Sequence, residues 1–291
     1  MAKTSIQRRI EWVTGVSKNK NNYWLKRQMM QRAAISDKTI EDIEKQLGKY
    51  YARAMKRIIK DFEYVYGKII ATIEEGRTPT PADLYKLSTY WEMQGQLRNE
   101  LEALGEKEVA LLSRQFERQW KQIYDTTAIP ANAVFNTINT DAAAAAINSI
   151  WLADGKNFSS RIWGNIEKLT ETLNEELLNC VITGKKTTEL KKKLQDRFNV
   201  SYNQADTLVR TEVAHIQVQA AAQKSKDAGL TEYEFYADPD ERTCPVCGAL
   251  HGKKFKYSEM QPGKNAPPMH PRCRCDILSI IDIKDNKEMK D

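Results

Sequence analysis

Five side chains near the C-terminal end of the sequence have types and spacing typical of a metal site. Cys244 and Cys247 lie in the stretch CPVCG, while His270, Cys273 and Cys275 lie in HPRCRC. Two residues between the first cysteines let both thiolates reach one metal from a tight turn, and the second stretch supplies the distant ligand pair that tetrahedral zinc requires. The pattern therefore predicts a structural zinc site.

Five candidate ligands compete for four tetrahedral positions. We expect Cys244, Cys247, His270 and Cys273 to bind the zinc, with Cys275 as a substitute ligand. Four protein ligands leave no open position for water, so the sequence predicts a structural rather than a catalytic metal. A further histidine, His251, lies in a turn that leads into KKFKY, and we expect it to be exposed.

A disulfide, or thiols without a role, is the alternative interpretation of the cysteines. Disulfides are disfavoured in a reducing cytosol, where clustered cysteines more often bind metal or do redox chemistry. A redox CxxC motif opens a helix that follows a strand. The residues after Cys247 are Gly-Ala-Leu-His-Gly, which we do not expect to start a helix.

Signals for catalysis are weak in the rest of the sequence. His215 in TEVAH lacks the first histidine of HExxH, and Glu212 with His215 gives one Glu-x-x-His motif where di-iron bundles need two. We therefore expect a protein that is not an enzyme and takes no small-molecule substrate. Instead, we expect Arg210, Thr211 and Glu212 to pin their helix to the small sheet or the zinc loops.

Length and charge restrict the class of protein. The chain of 291 residues is long enough for one large or two ordinary domains. It shows neither a leader-like apolar stretch nor an apolar run of about 18 residues, so we expect a soluble, unexported protein without a membrane partner. Residues 1–60 carry fifteen lysines and arginines against five acidic residues, whereas the whole chain has a net charge of +6. Such a basic arm suits double-stranded DNA, although a solvated helix face would look the same.

The first half of the chain has the pattern of long amphipathic helices. Ser36 is a plausible N-cap, and a helix is predicted from there to Gly76. Its apolar stripe consists of Ile40, Ile43, Leu47, Tyr50, Ala54, Ile58, Phe62, Val65, Ile69 and Ile73. Thr80 as N-cap and Pro81 at the first helical position start a second helical region, with a possible break at Gly105 and an end near Tyr124.

The second half changes from helices to short strands. Trp151 and Trp163 are predicted packing anchors, and Cys180 is predicted to be buried in a helix. A capping box at Ser201 is expected to open a further helix that ends before Gly229. The stretches EYEFYA, KKFKY and CDILSIIDI are rich in aromatic and β-branched residues, which predicts small strands.

These patterns together predict a mainly α protein. An elongated N-terminal helical hairpin or bundle precedes a small, zinc-stabilised α+β domain at the C-terminal end. The expected segments are an elongated basic helical region in 1–128, a helical middle segment in 129–185, the zinc-bearing domain in 186–285 and a tail in 286–291.

A series of motifs in the last 100 or so residues resembles one family closely. In order, they are the RTE helix, an aromatic strand, D-x-R-T-C-x-x-C, a G-K-x-F turn and P-P-x-H-P-x-C-R-C. They resemble the C-terminal domain of the minor head, or head-morphogenesis, proteins of tailed bacteriophages, the Mu-type family. The upstream stretches NYWLKRQ and NFSSRIW look like the same family's more variable N-terminal part.

The resemblance implies a structural component of the virion that associates with the portal protein, and with capsid or scaffold proteins, during procapsid assembly, genome packaging or ejection. It implies a place in the phage head interior near the portal and the packaged DNA, and in the bacterial host cytoplasm during assembly. By position, Cys244, Cys247, His270 and Cys273 fall on the family's cysteine and histidine motif, while Cys275 falls where some relatives have histidine. The alternative is a zinc-containing, nuclease-like DNA-processing enzyme that acts in the infected cell.

Overall fold

The computed structural model describes residues 20–72, 77, 80–86, 88–127, 140–152, 154–238 and 240–280. Helices dominate this part of the chain, and a small sheet follows them. The helices are α1 (Lys20–Thr72), α2 (Pro81–Tyr85), α3 (Ser88–Thr126), α4 (Thr140–Ile147), α5 (Phe158–Ile182), α6 (Thr187–Asp227) and α7 (Pro245–Leu250). The strands are β1 (Glu232–Tyr236), β2 (Lys254–Lys256) and β3 (Asp276–Ser279), with a 3₁₀ turn at Tyr257–Glu259.

Helix α1 confirms the long apolar stripe but begins before the predicted start. The stripe is buried at Ile43, Leu47, Tyr51, Ala54, Ile58, Phe62, Val65 and Ile69. Tyr51 takes the buried position that we predicted for Tyr50, whereas Ile73 and Gly76 lie outside the described residues. The prediction that Ser36 caps the helix is wrong, because Ser36 lies inside α1 and its hydroxyl donates to Gln217 Oε1 at 2.5 Å.

The second helical region begins as predicted. It consists of a short helix and a long one, and the long helix is continuous through Gly105. Thr80 caps α2, and the Asp83 carboxylate accepts from the Thr80 backbone N–H at 2.9 Å. A separate helix, α3, then runs to Thr126 without a break. A Cβ atom at Gly105 would lie 2.8 Å from Cζ3 of Trp163, so this glycine permits close helix packing and does not end a helix.

Helix α6 is one helix where the sequence pattern predicted two. Ser201 is buried within it, so the prediction that a capping box opens a new helix there is wrong. No glycine or proline lies between Thr187 and Asp227 to stop the helix, and packing of its apolar side overrides the local capping pattern. Gly229 follows the helix end with a φ of +79°, as expected of a glycine that terminates a helix.

All three predicted strands are confirmed and form one antiparallel sheet. The order is β2-β1-β3, with Tyr233 opposite Phe255 on one side and opposite Ser279 on the other. Val218 and Ala222 of α6 pack against the sheet residues Tyr233 and Ile277. The prediction of a mainly helical chain with a small C-terminal sheet is therefore confirmed.

The chain divides into two compact units, each made from separate segments. The first contains residues 1–41, 113–157 and 208–291, and the second contains 42–112 and 158–207. The segments expected from the sequence are consecutive stretches of the chain, whereas each unit combines separate stretches. The expected segments therefore stay a prediction. Their boundaries at 128/129 and 285/286 lie outside the described residues, and the boundary at 185/186 lies in the turn between α5 and α6.

None of the described helices combines the length and the hydropathy that a membrane-crossing helix needs.

A buried carboxyl group lies in the core of the second unit. Glu108 of α3 is 1% exposed, and one of its oxygens accepts from the Tyr51 hydroxyl at 3.2 Å. Its other oxygen, Oε1, has no hydrogen-bond partner among the described residues. Burial raises the pKa of Glu108 from 4.5 to about 7, so the folded chain holds this group protonated under mildly acidic conditions.

We expect Glu108→Gln to stabilise the chain at pH 8 and to flatten its pH dependence. Between pH 4.5 and pH 7 the unfolded wild type ionises Glu108 while the folded wild type keeps the proton. Wild-type stability therefore falls as the pH rises through this window, by at most about 3 kcal/mol, and is level above it. Urea unfolding of both chains at pH 5 and pH 8 measures the effect. An equal change with pH in both chains would contradict the assignment.

Candidate metal centre

The first cysteine pair is positioned by β1 and the short helix α7. Cys244 is the N-cap residue of α7, and its sulfur accepts from the backbone N–H of Cys247 at 3.4 Å. The prediction that no helix follows the CxxC motif is therefore wrong. The signal was present, because Pro245 stands at the first helical position and fits the preference for proline there. A metal site here therefore needs ligands from elsewhere in the chain that meet this pair.

The second stretch of candidate ligands leads into β3 through a tight turn. The Cys273 N–H donates to the His270 carbonyl at 3.1 Å, and Arg272 between them has a φ of +58°. The backbone N–H of Arg272 donates to the Thr211 hydroxyl of α6 at 3.1 Å. This bond confirms the prediction that Thr211 pins its helix to one of the candidate metal loops.

The fold brings all five candidate ligands together in two overlapping groups. Within each group the ligand atoms lie within 4.8 Å of one another. One group is Cys244, Cys247 and His270, and the other is Cys247, Cys273 and Cys275. Cys247 belongs to both, and its sulfur lies 3.5 Å from His270 Nε2 and 4.0 Å from Cys273 Sγ. His251, by contrast, is exposed as predicted, and its Nδ1 accepts from the Ala237 N–H.

Hydrogen bonds make two of the thiols acidic. The backbone N–H of Cys247 lowers the pKa of Cys244, and a hydrogen bond with Cys275 lowers the pKa of Cys273 to about 5. Burial raises the pKa of Cys247. Cys247, Cys273 and Cys275 pack with Phe235 and Ala237 in a small hydrophobic core, which excludes water from the sulfur atoms. Two of the four cysteines therefore have acidic thiols, while burial keeps the pKa of Cys247 high, and three of the four sulfur atoms are shielded from water.

The donor set suits a soft or borderline metal ion. Thiolates and imidazole are the ligands that zinc takes in closed structural sites, and four cysteines with one histidine exceed the four ligands that it needs. Among the described residues, a metal there would join the loop after β1 to the loop before β3.

The comparison with known families gives a match over the same part of the chain. Residues 171–278 match the family described as Phage Mu protein F like protein, which is a little over a third of the chain. This segment is similar to the Phage Mu protein F-like family, and we call it the Mu F-like segment. The match confirms the resemblance to phage head morphogenesis proteins. No curated protein and no solved structure matched the chain.

Within the first unit, residues that precede the Mu F-like segment in the chain donate hydrogen bonds to it. Arg32 of α1 is 2% exposed, and its guanidinium donates to Asp276 Oδ2 at 2.9 Å and to the Ile277 carbonyl at 2.7 Å. Gln119 of α3 donates to the Ser36 hydroxyl and to the Val213 carbonyl, both at 2.9 Å. These contacts were not predicted from the sequence.

The RTE part of the Mu F-like segment contacts several different elements. Glu212 accepts from the indole N–H of Trp151 at 3.2 Å, and His215 stacks on the Trp151 ring with centroids 4.5 Å apart. Ser149 also lies 3.2 Å from His215 Nε2. Trp151 is therefore a packing anchor, as predicted, and the Glu-x-x-His pair holds the loop after α4. Trp163 packs over Gly105 but stays 38% exposed.

A cavity of about 480 Å³ lies beside the candidate metal ligands of the Mu F-like segment. One wall comes from α1 with Ala33, Ser36, Asp37 and Ile40, and another comes from α6 with Arg210, Val213, Ala214 and Gln217. The five candidate ligands and the loops around them form the remaining wall. The cavity lies wholly within the first unit.

Proposed function

We propose that this chain is a phage head morphogenesis protein that associates with the portal during procapsid assembly, genome packaging or ejection. The observation that carries the proposal is the family match over residues 171–278, which spans the candidate metal centre and the whole of α6. Its partners are the portal protein and the capsid or scaffold proteins around it. It resides in the virion, inside the head, and in the host cytoplasm during assembly.

In this proposal a zinc ion has a structural role at the cysteine cluster. Cys244, Cys247, His270 and Cys273 would bind it, and Cys275 is the substitute. The zinc would stiffen two loops that the three short strands alone hold weakly, because a sheet of this size buries little area. Four protein ligands would leave no coordination position for a reacting group, so we propose that the chain is not an enzyme.

The exposed cations of α1 support contact with packaged DNA. One face of the helix carries Lys45, Lys49, Arg53, Lys56 and Lys60, all exposed. Residues three and four apart lie on the same side of a helix, so these five cations form one stripe. A stripe of this kind binds the phosphates of double-stranded DNA without reading its sequence.

Cross-linked phage particles test both the protein partner and the DNA contact. Procapsids and mature virions of the phage that encodes the chain are purified separately, cross-linked and digested for mass spectrometry. We expect a few copies per particle, peptides linked to the portal, and nucleotide adducts between Lys45 and Lys60 in mature virions. A stretch of α1 with no exposed cation stripe, 61–72, provides the internal control for adducts.

Absence of the chain from both kinds of particle would contradict the proposal. It would favour the alternative, a zinc-containing nuclease-like enzyme, which magnesium-dependent cleavage of plasmid by the pure protein would then establish. Presence of the chain with portal cross-links but no nucleotide adducts would refute the DNA contact alone.

A further inference from the structure

The cavity beside the metal centre has the composition of a protein-binding cleft. Its walls include the apolar side chains of Ala33, Ile40, Val213 and Pro271. Four arginines also line it, at positions 210, 242, 272 and 274, against Asp37 and Asp238 in the lining and Asp240 just outside it. Arginine next to apolar surface is the combination that is enriched where proteins bind one another tightly.

The guanidinium groups of Arg242 and Arg274 on the loop side are both paired with aspartates, and that of Arg274 is the more firmly held. Arg274 donates to Asp238 and Asp240 at 2.6 Å, and a second bond to Asp240 measures 2.7 Å. Arg242 also donates to Asp240, at 3.2 Å. Each guanidinium has five N–H donors in a rigid plane, so these bonds leave further donors on both arginines. Fixed donors cost little side-chain entropy when a ligand binds.

Arg272 occupies a backbone position that favours glycine. Its φ of +58° places it in the left-handed region, where a residue with a Cβ atom is strained by about 1 kcal/mol or more. The turn itself would therefore be more stable with glycine. Glycine would relieve this strain but would remove the guanidinium group from the cavity wall.

We propose that this cleft binds an acidic segment of a protein partner, with carboxylate side chains on the arginines and apolar side chains against Ile40 and Val213. The inference rests on the proposed function only in taking the partner to be a protein of the phage head. Carboxylates match the planar donors of arginine in bidentate geometry. The cleft volume of about 480 Å³ lies within the range of sites that enclose a small ligand or a short peptide segment.

Nucleic acid fits the cleft less well than a peptide does. Single strands are bound by aromatic side chains on which the bases stack, and no Phe, Tyr or Trp lines this cavity among the described residues. The major groove of a duplex is about 12 Å wide and receives a protruding helix or β-ribbon, so duplex contacts need an open or convex surface. The exposed stripe of α1 offers such a surface, and the cleft does not.

Selection from a random twelve-residue peptide library, with the metal-loaded wild-type chain as the target, tests the proposal. We expect the enriched peptides to share acidic residues beside apolar ones. Synthetic copies should bind the wild type at least tenfold more tightly than versions in which glutamine and asparagine replace the acids. A duplex oligonucleotide should not displace them.

Two variants and a control separate binding from folding. Arg272→Gly removes the side chain and relieves the strain at positive φ, so its melting temperature should not fall while its affinity drops about tenfold. Arg210→Gln should weaken binding similarly, and Lys254→Gln, an exposed site on β2 of the same unit, should not. Enriched peptides without acidic residues, no enrichment, or equal binding by Arg272→Gly would each overturn the proposal. Any of these results together with the chain's presence in particles would leave the head function intact.

Discussion

Replacing Cys247 by alanine is expected to abolish metal binding and to destabilise the Mu F-like segment. Cys247 belongs to both groups of ligand atoms, so neither group keeps three donors without it. Loss of a structural metal is among the few single changes that cost a domain roughly 3 kcal/mol or more. Metal content after desalting and the melting temperature measure the two effects.

The matched control for Cys247→Ala is Cys180→Ala. Cys180 is fully buried in α5 but lies outside both ligand groups, so its loss leaves a small cavity and an intact metal site. We expect this variant to keep one metal per chain. A chain with Cys247→Ala that also keeps one metal would show that the cluster is not the site.

The choice between His270 and Cys275 follows from the same measurement. If the predicted ligand set is correct, His270→Ala lowers metal affinity more than Cys275→Ala does. The opposite order would place the metal among the buried sulfurs of Cys247, Cys273 and Cys275. Either order keeps Cys247 essential.

Local sequence patterns predicted helices and strands well where the residue types that become buried recur along a single element. The stripe of α1 recurs every three or four residues because one side of the helix is buried, and that periodicity survives in the sequence. The small strands were predicted because aromatic and β-branched side chains are concentrated in short stretches between turn residues. The candidate ligands were found because a CxxC pair with a second Cys/His group further along the chain has the spacing of a zinc site.

Capping signals failed because they depend on a few residues and compete with packing. Ser36 and Ser201 both have the type of an N-cap, yet both lie inside helices. A capping bond stabilises a helix end by about 1 kcal/mol, less than the burial of one large apolar side chain. Contacts between distant segments, such as those of Ser36 with Gln217 and Gln119, leave no periodic trace in a single sequence.

The buried ion pair between Arg32 and Asp276 gives the second large expected effect. Both side chains are at most 5% exposed, and Arg32 also satisfies the Ile277 carbonyl. Arg32→Met would leave the Asp276 carboxylate buried without its counter-charge, which costs roughly 3–5 kcal/mol. Urea unfolding of the chain at pH 7 measures this loss.

Two comparisons show whether the charge or the packing is responsible. Arg53→Met, at an exposed position of the same helix, should change stability by less than about 0.5 kcal/mol. The double variant Arg32→Met/Asp276→Asn should recover at least half of the loss, because the unpaired charge is gone. Equal losses in the single and double variants would show that packing alone is at work.

The same pair ties the Mu F-like segment to a helix that begins about 150 residues before it. Residues 33–40, directly after Arg32, form one wall of the cleft. If the ion pair holds that wall in place, Arg32→Met should also weaken binding of the acidic peptides at urea concentrations where the chain is still folded. Unchanged affinity would mean that the bond from Ser36 to Gln217 positions the wall without help from Arg32.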